Sequence, residues 1–389
     1  MEQDVVVAGG GIGGIAAAIA VRRAGRSVQV LEQAAAFEEI GAGLQFGPNV
    51  TRIVQQWPQA WKDVQAAAGR PGALRVRDAG TGRELGRLRL GASFAERHGA
   101  PYFTMHRADA HAALLAQARA DGAVLRAAER VDGMVQADGG VRVRTVAGDE
   151  LQAAALLGAD GLWSRVRDAL LGDGAPAFTG HLAYRALLQQ ADLPAALRSQ
   201  DIGVWLAPRM HAVAYPVRAG EALNLVCLIE GPAPGDAKSW NHEGVTGALH
   251  ESTAGTHASL RGLLDAATQW RLWALHARAP VRSAGEMARG RVALLGDAAH
   301  PMLPYLAQGA GMAIEDAWTL QQALAGGDVE AALQRYATER WRRCARVQQR
   351  SLRNARIFHA GGLLRVGRDA AMRVVGEPLL DLPWLYGAC

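Results

Sequence analysis

The chain has 389 residues, 50% hydrophobic and 20% charged, a composition that buries a large core and excludes a disordered, collagen-like or disulfide-stapled small protein. Its 42 Lys and Arg against 37 Asp and Glu give a net charge of +5. The arginines are spread along most of the chain, so no basic patch points to a nucleic-acid partner. Three cysteines, Cys227, Cys344 and Cys389, stand far apart in no metal-ligand or redox spacing, so neither a metal site nor a disulfide framework is expected. The apolar run after Asp4 follows acidic residues and is crowded with glycines, unlike a signal peptide. No stretch reaches the roughly 18 apolar residues of a transmembrane segment, and a cytoplasmic location is expected.

Val5–Ala8 is a short apolar run ending in glycines, the pattern of a buried parallel strand. An alanine-rich helix from Ile15 to Ala24 follows, closed by Gly25, and Ser27–Leu31 is a second buried strand, ended by Glu32. This is one strand–helix–strand crossover of about 30 residues. Between Phe37 and Trp61 the spacing predicts a glycine-punctuated loop, Gly41 to Asn49, and then a helix. Segments around Leu74–Arg77, Arg83–Arg89, Val141–Val146 and Leu151–Leu157 read as antiparallel strands, interrupted by a helix from Asp109 to Ala120. Strands return at Gly203–Leu206, Met210–Pro216 and Leu223–Ile229, which predicts a second sheet-bearing domain inserted into the first. Val292–Leu295 is another buried strand, Gly309–Ala325 a helix, and Glu330–Arg373 a long arginine-rich helical tail.

Three segments carry chemistry. Gly9-x-Gly11-x-x-Gly14 lies between strand and helix, where glycines permit a tight turn and let backbone N–H groups approach a pyrophosphate. Glu32, 21 residues after Gly11, stands where an acid binds adenosine ribose hydroxyls, which favours FAD or NAD over a 2′-phosphorylated nucleotide. Gly296-Asp297 ends a strand and can offer a carboxylate to a ribityl chain, while Gly309-Ala310-Gly311 opens a helix whose free N–H groups suit an anionic flavin edge. An ordinary strand–turn–helix with an exposed Asp explains that segment equally well on its own. Gly158-Ala159-Asp160-Gly161 follows a third apolar run and by itself is a turn with a helix cap.

In this order the three motifs resemble the single-component FAD-dependent aromatic hydroxylases, from Val5 to Tyr386. The resemblance implies an α/β fold: a Rossmann-like FAD-binding domain with an inserted mixed-sheet substrate domain and a helical C-terminal tail. It places the FAD-binding parts at 1–75, 106–177 and 281–329, the substrate parts at 76–105 and 178–280, and the tail at 330–389. It further implies that FAD rests on Gly9, Gly11, Ile12, Gly13, Gly14, Glu32 and Gln33. Gly43, Leu44, Gln45, Arg107, Val131 and Asp160 would also border it, with Asp297, Pro304, Gly309 and Ala310 at the ribityl chain and ring. NADH would dock transiently with no nucleotide domain of its own, and O2 would be the second co-substrate. A homodimer is typical of the likeness.

Within the family, Tyr305 to Ala310, Phe358-His359-Ala360 and Trp384 to Gly387 are most similar to members that hydroxylate hydroxybenzoates. This implies oxygen transfer from a flavin C4a-hydroperoxide to a small hydroxylated aromatic acid, with 3-hydroxybenzoate oxidised to gentisate as the leading case. Pro304 departs from the glutamine typical of those members and is similar instead to members that oxidise salicylate and 6-hydroxynicotinate with loss of carbon dioxide. A flavin-binding redox protein without oxygenase activity is the alternative of another class. A phenol reacts best as its phenolate, so a base near its hydroxyl is expected, and histidine has the pKa nearest neutrality. His211 and Tyr215 share one face of an alternating strand and match positions that the resemblance makes substrate-facing. A capped histidine and a half-buried tyrosine are the bland alternative. His300 is expected to be positional, His106 to cap the helix that follows it, Trp205 to be either a pocket wall or core, and the tail arginines a solvated face.

Overall fold

The computed structural model describes residues 3–38, 43–137, 139–235, 242–243 and 246–387. Among these, two eight-stranded sheets and a two-stranded ribbon carry the chain. The first sheet has a parallel centre in the order Val292–Leu294, Glu150–Gly158, Gln3–Ala8, Val28–Leu31, Val124–Arg126. Its strands are continuously apolar because both faces are covered, one by the helix Ile12–Arg23, which is buried almost all round. Glu150–Gly158 departs from the antiparallel expectation. Its first half pairs antiparallel with Gly140–Thr145, but its buried second half runs parallel to both neighbours.

The second sheet is mixed: Ile202–Ala207 pairs parallel with Ala73–Asp78, and the other ladders are antiparallel. Strand alternation splits its residues between two cores. Leu182, Tyr184, Trp205, Ala212, Ala214 and Leu225 pack outward against the helix Ala258–Asp265. Trp205 is therefore core, on the face opposite His211 and Tyr215. Ala183, Val226 and Leu228 face inward and pack on Leu303, Tyr305 and Ala355.

Two other expectations change. Gly43–Phe46, read as loop, is a strand paired with Phe103–His106, a partner remote in sequence; Gly41 and Ala42 lie outside the described residues, as does Cys389. Cys227 and Cys344 are buried free thiols. The helical stretch expected over 330–373 is broken into two helices, Val329–Phe358 and Gly362–Val375, and the short helices Glu377–Leu380 and Pro383–Tyr386 follow. Asp328 caps the first through the Ala331 N–H at 2.9 Å. Arg368 then takes the terminal carbonyls of Ile357 and Phe358, and Gly362 turns the chain with φ +53. Among the described residues no helix is long and apolar enough to cross a membrane.

Candidate active site

The turn after the first strand requires glycine. Gly9 has φ +100, and a Cβ there would stand 2.4 Å from the Ala159 carbonyl oxygen; a Cβ on Gly14 would stand 1.8 Å from the Gly9 carbonyl oxygen. Gly11 is the N-cap of the helix that begins at Ile12 and Gly13, with no side-chain capping bond, so the positive helix end is open to an anion. Glu32 accepts the Gly10 N–H at 2.6 Å and the Ala34 N–H at 2.7 Å, which fixes its carboxylate beside the loop, with Gln33 exposed next to it. The chain leading to Val131 flanks the same strand end, through Glu32 N–H to Arg126 at 2.9 Å and Glu129 N–H to Glu32 at 2.8 Å.

The second motif meets the first. Asp297 is exposed at the end of Val292–Leu294, and its Oδ1 is 3.9 Å from where a Gly309 Cβ would be. Gly309 and Ala310 start a helix whose N-cap, Gln308, makes no side-chain capping bond. Cβ atoms on Gly13 and on Gly296 would lie 3.3 and 3.1 Å from the same Ala313 Cβ. Asp160 has its Cα 2.9 Å from the Gly9 Cβ position. Its carboxylate takes the Arg165 and Val166 N–H groups at 2.8 and 3.2 Å, and burial raises its pKa. A cradle that Cβ atoms would fill, two uncapped helix starts and an acid at a strand end suit a dinucleotide.

Across from this cradle lies the inward face of the mixed sheet. His211 and Tyr215 both project from it and are buried. The Tyr215 ring occupies the space a Gly43 Cβ would need, and the Gly43 N–H donates to Asn224 Oδ1 at 2.7 Å. Leu44 and Gln45 continue that strand, and Gln45 Oε1 accepts the Tyr102 hydroxyl at 2.7 Å. Arg185, two strands from Tyr215, stacks over Trp273 at 4.3 Å and makes no ion pair among the described residues. Its buried Nε and the buried Nδ2 of Asn224 both lack hydrogen-bond partners. Burial lowers the Arg185 pKa to about 10, with Arg107 adding to the shift and Tyr215 opposing it, so the guanidinium stays charged at neutral pH. Half-buried Val213 and buried Val226 lie between the two polar ends. Burial, then His359 and His181, hold His211 well below its ordinary value, so it is neutral; burial likewise raises Tyr215.

Residues 2–351 match the family described as FAD binding domain. The chain is 39% identical to the 3-hydroxybenzoate 6-hydroxylase of Polaromonas naphthalenivorans (strain CJ2), over 99% of this chain and 96% of that one. The chain belongs to the FAD-dependent aromatic hydroxylase family. It is also 33% identical to the 6-hydroxynicotinate 3-monooxygenase of Bordetella bronchiseptica (strain ATCC BAA-588 / NCTC 13252 / RB50), over 98% of both chains. Its fold matches Klebsiella pneumoniae HpxO complexed with FAD and uric acid, with a TM-score of 0.85 over 97% of this chain and 94% of that one, at 24% identity.

In this hydroxylase the tail holds the loop 301–305. Gln348, Ser351 and Asn354, one per helical turn, donate to the carbonyls of Pro301, Leu303 and Tyr305 at 3.0, 2.6 and 3.2 Å. They fix the loop carrying Pro304, which opens the short turn Pro304–Leu306. Arg340 corrects the solvated-face expectation. It is buried, donating to Asp316 Oδ1 at 2.8 Å and Glu315 Oε2 at 2.7 Å, while Arg343 grips Glu315 at 2.6 and 2.7 Å. Arg342, Arg346, Arg353 and Arg356 are exposed as expected. Asp316 also accepts the Gly296 N–H at 3.0 Å and meets His300 Nε2 at 2.6 Å, so His300 is a positional residue. Burial disfavours a charged His300, but the Asp316 carboxylate outweighs it and holds the ring well above its ordinary pKa. His106 sits at a helix N-cap without a side-chain capping bond.

Sequence reasoning assigned no role to Arg185, Asn224, His359 or Glu230. An arginine inside a strand whose alternate positions, Leu182, Tyr184, Ala186 and Leu188, are all apolar was the available signal for the first.

Proposed function

We propose that this hydroxylase oxidises a small hydroxylated aromatic acid with NADH and O2, 3-hydroxybenzoate to gentisate being the leading reaction. The observation that carries the acid is a half-buried Arg185, without an ion pair among the described residues and with its Nε buried and unbonded, on the same face as the orphaned Asn224 amide and His211. Buried donors without acceptors are costly, and a carboxylate would satisfy both groups. The strand rise of about 3.3 Å per residue separates the Cα atoms of His211 and Tyr215 by about 13 Å. In this reading the two side chains bracket one substituted ring over Val213 and Val226.

FAD, when bound, supplies electron transfer from NADH and the activation of O2. Gly9 to Gly14 and the Gly309 helix start would hold its pyrophosphate, Glu32 its ribose and Asp297 its ribityl chain. His211, neutral and buried, takes the phenol proton as general base. Tyr215 orients the hydroxylated ring, and the buried face excludes water from it. We also propose a homodimer; the exposed Leu363, Leu364, Val366 and Val374 on Gly362–Val375 offer the apolar surface for a second copy, and light scattering checks it.

The test is a panel of hydroxylated aromatic acids with NADH and with NADPH, the products identified by mass and position. Stimulated NADH oxidation with no hydroxylated product from any of them would return the protein to a flavin redox role. Pro304 and the 6-hydroxynicotinate relative favour a decarboxylating hydroxylase as the second reading, and release of carbon dioxide separates the two.

A further inference from the structure

His211 is the first member of a chain of polar contacts that ends in solvent. Its Nδ1 lies 2.9 Å from His359 Nε2, and His359 Nδ1 lies 3.2 Å from Glu230 Oε1. Glu230 closes the strand Ala222–Glu230 with its side chain one-third exposed, beside the exposed Arg209 at 3.2 Å. His359 is the C-cap of the long helix. Its carbonyl accepts the Arg209 N–H at 3.0 Å, and Arg368 grips the two residues before it. His181 stacks on His359 at 4.9 Å and 10° and bonds the Tyr305 hydroxyl. The imidazole pair therefore sits in a packed frame, with His181, Tyr305, Arg209, Glu230 and Arg368 as its ionisable neighbours.

The direction of the chain follows from donor inventory. A carboxylate only accepts, so His359 Nδ1 carries the hydrogen, and its Nε2, bare in a neutral ring, accepts. His211 Nδ1 must then donate, which leaves the lone pair on His211 Nε2. We propose that Glu230, acting through His359, sets His211 in the Nδ1–H tautomer and conducts the substrate's hydroxyl proton to solvent. The proton passes from the phenol oxygen to His211 Nε2 as His211 releases its Nδ1 proton to His359 Nε2. His359 Nδ1 releases its proton to the Glu230 carboxylate, and Glu230 releases one to water. One proton leaves the substrate and one enters solvent; each ring ends in its other tautomer and is reset when the proton returns to the product oxygen. A route of this kind is needed because burial and two neighbouring imidazoles make a lasting charge on His211 unfavourable. His359 and Glu230 are positioning residues, since neither touches the substrate.

The relay as a catalytic device rests on the hydroxylase reading above, but its tautomers do not. Nitrogen-15 spectra of the histidine-labelled holoenzyme, assigned with His211→Gln and His359→Gln, should show both rings neutral with the hydrogen on Nδ1. Glu230→Ala should move it to Nε2. An Nε2–H ring at either position in the unaltered protein overturns the proposal. With 3-hydroxybenzoate, Glu230→Ala and His359→Gln should lose about tenfold or more in hydroxylation, against the ~10²–10⁴-fold of a positioned proton transfer. Flavin reduction should not change, and the Glu230→Ala defect should shrink as pH rises toward the phenol's own pKa. A pH-independent defect refutes the proton path. The Nδ1–H pair in a protein that hydroxylates no aromatic acid would sink the functional reading and leave the tautomer assignment standing.

Discussion

Arg340→Met tests how the tail helix supports the turn at Gly296 and Asp297. The substitution keeps the apolar stem and removes a guanidinium that bonds Asp316 at 2.8 Å and Glu315 at 2.7 Å with both acids fully buried. Breaking a buried pair costs ~3–5 kcal/mol because a charge is left without its partner. Arg343 still covers Glu315 and His300 still meets Asp316, so the expected loss is at the lower end, about 3 kcal/mol. Asp316 also holds the N–H of Gly296, the residue before Asp297, so FAD retention should weaken together with stability. Urea unfolding followed by tryptophan emission, with flavin content measured after desalting, gives both readouts. Adding Asp316→Asn removes one of the two carboxylates that lost Arg340, so the double variant should be less damaged than the sum of the singles by ~0.5–3 kcal/mol. A loss below about 1 kcal/mol, the range of an exposed pair, or strict additivity would refute the assignment of a coupled buried network.

Gly11→Val should yield a folded protein without FAD, whereas Gly14→Ala should damage the fold itself, since its Cβ would stand 1.8 Å from a backbone oxygen; a properly folded Gly11→Val protein with full flavin content would misplace the phosphate loop. His211→Ala and Tyr215→Phe should keep FAD and its reduction by NADH but divert the electrons to hydrogen peroxide, with hydroxylation down by ~10²–10⁴-fold for the histidine; unchanged product yield in both returns the pair to a packing role. Ser351→Ala and Asn354→Ala each free one carbonyl of the Pro301–Tyr305 loop and should cost about 1 kcal/mol, with a change in flavin fluorescence that a remote surface substitution lacks. His300 has a raised folded-state pKa, so its contribution to stability is complete below about pH 6.5 and lost as pH rises through the folded value. His300→Gln should therefore be less stable than the parent at pH 6, with the gap narrowing as the pH rises well above 6.5; a gap that widens with pH would show the ring to be neutral.

What the sequence determined by itself is local. The glycine turn, Glu32, Asp297 and the paired orientation of His211 and Tyr215 all depend on spacing within one segment, where φ/ψ limits and the two-residue strand period leave few alternatives. Their order along the chain then sufficed for the family. What only the tertiary structure decided are contacts between distant segments. Gly43–Phe46 looked like loop because its partner strand begins at Phe103. Arg340 looked solvated because its two acids lie 24 and 25 residues earlier on another helix. His211 meets His359 across 148 residues, and His359 meets Glu230 across 129. Arg185 and Asn224 share a face only through the register of two antiparallel ladders with Ala222–Glu230. A turn is set by its own backbone sterics, whereas a polar cluster built from separate strands and a helix end exists only once the sheet register and the helix packing have been chosen.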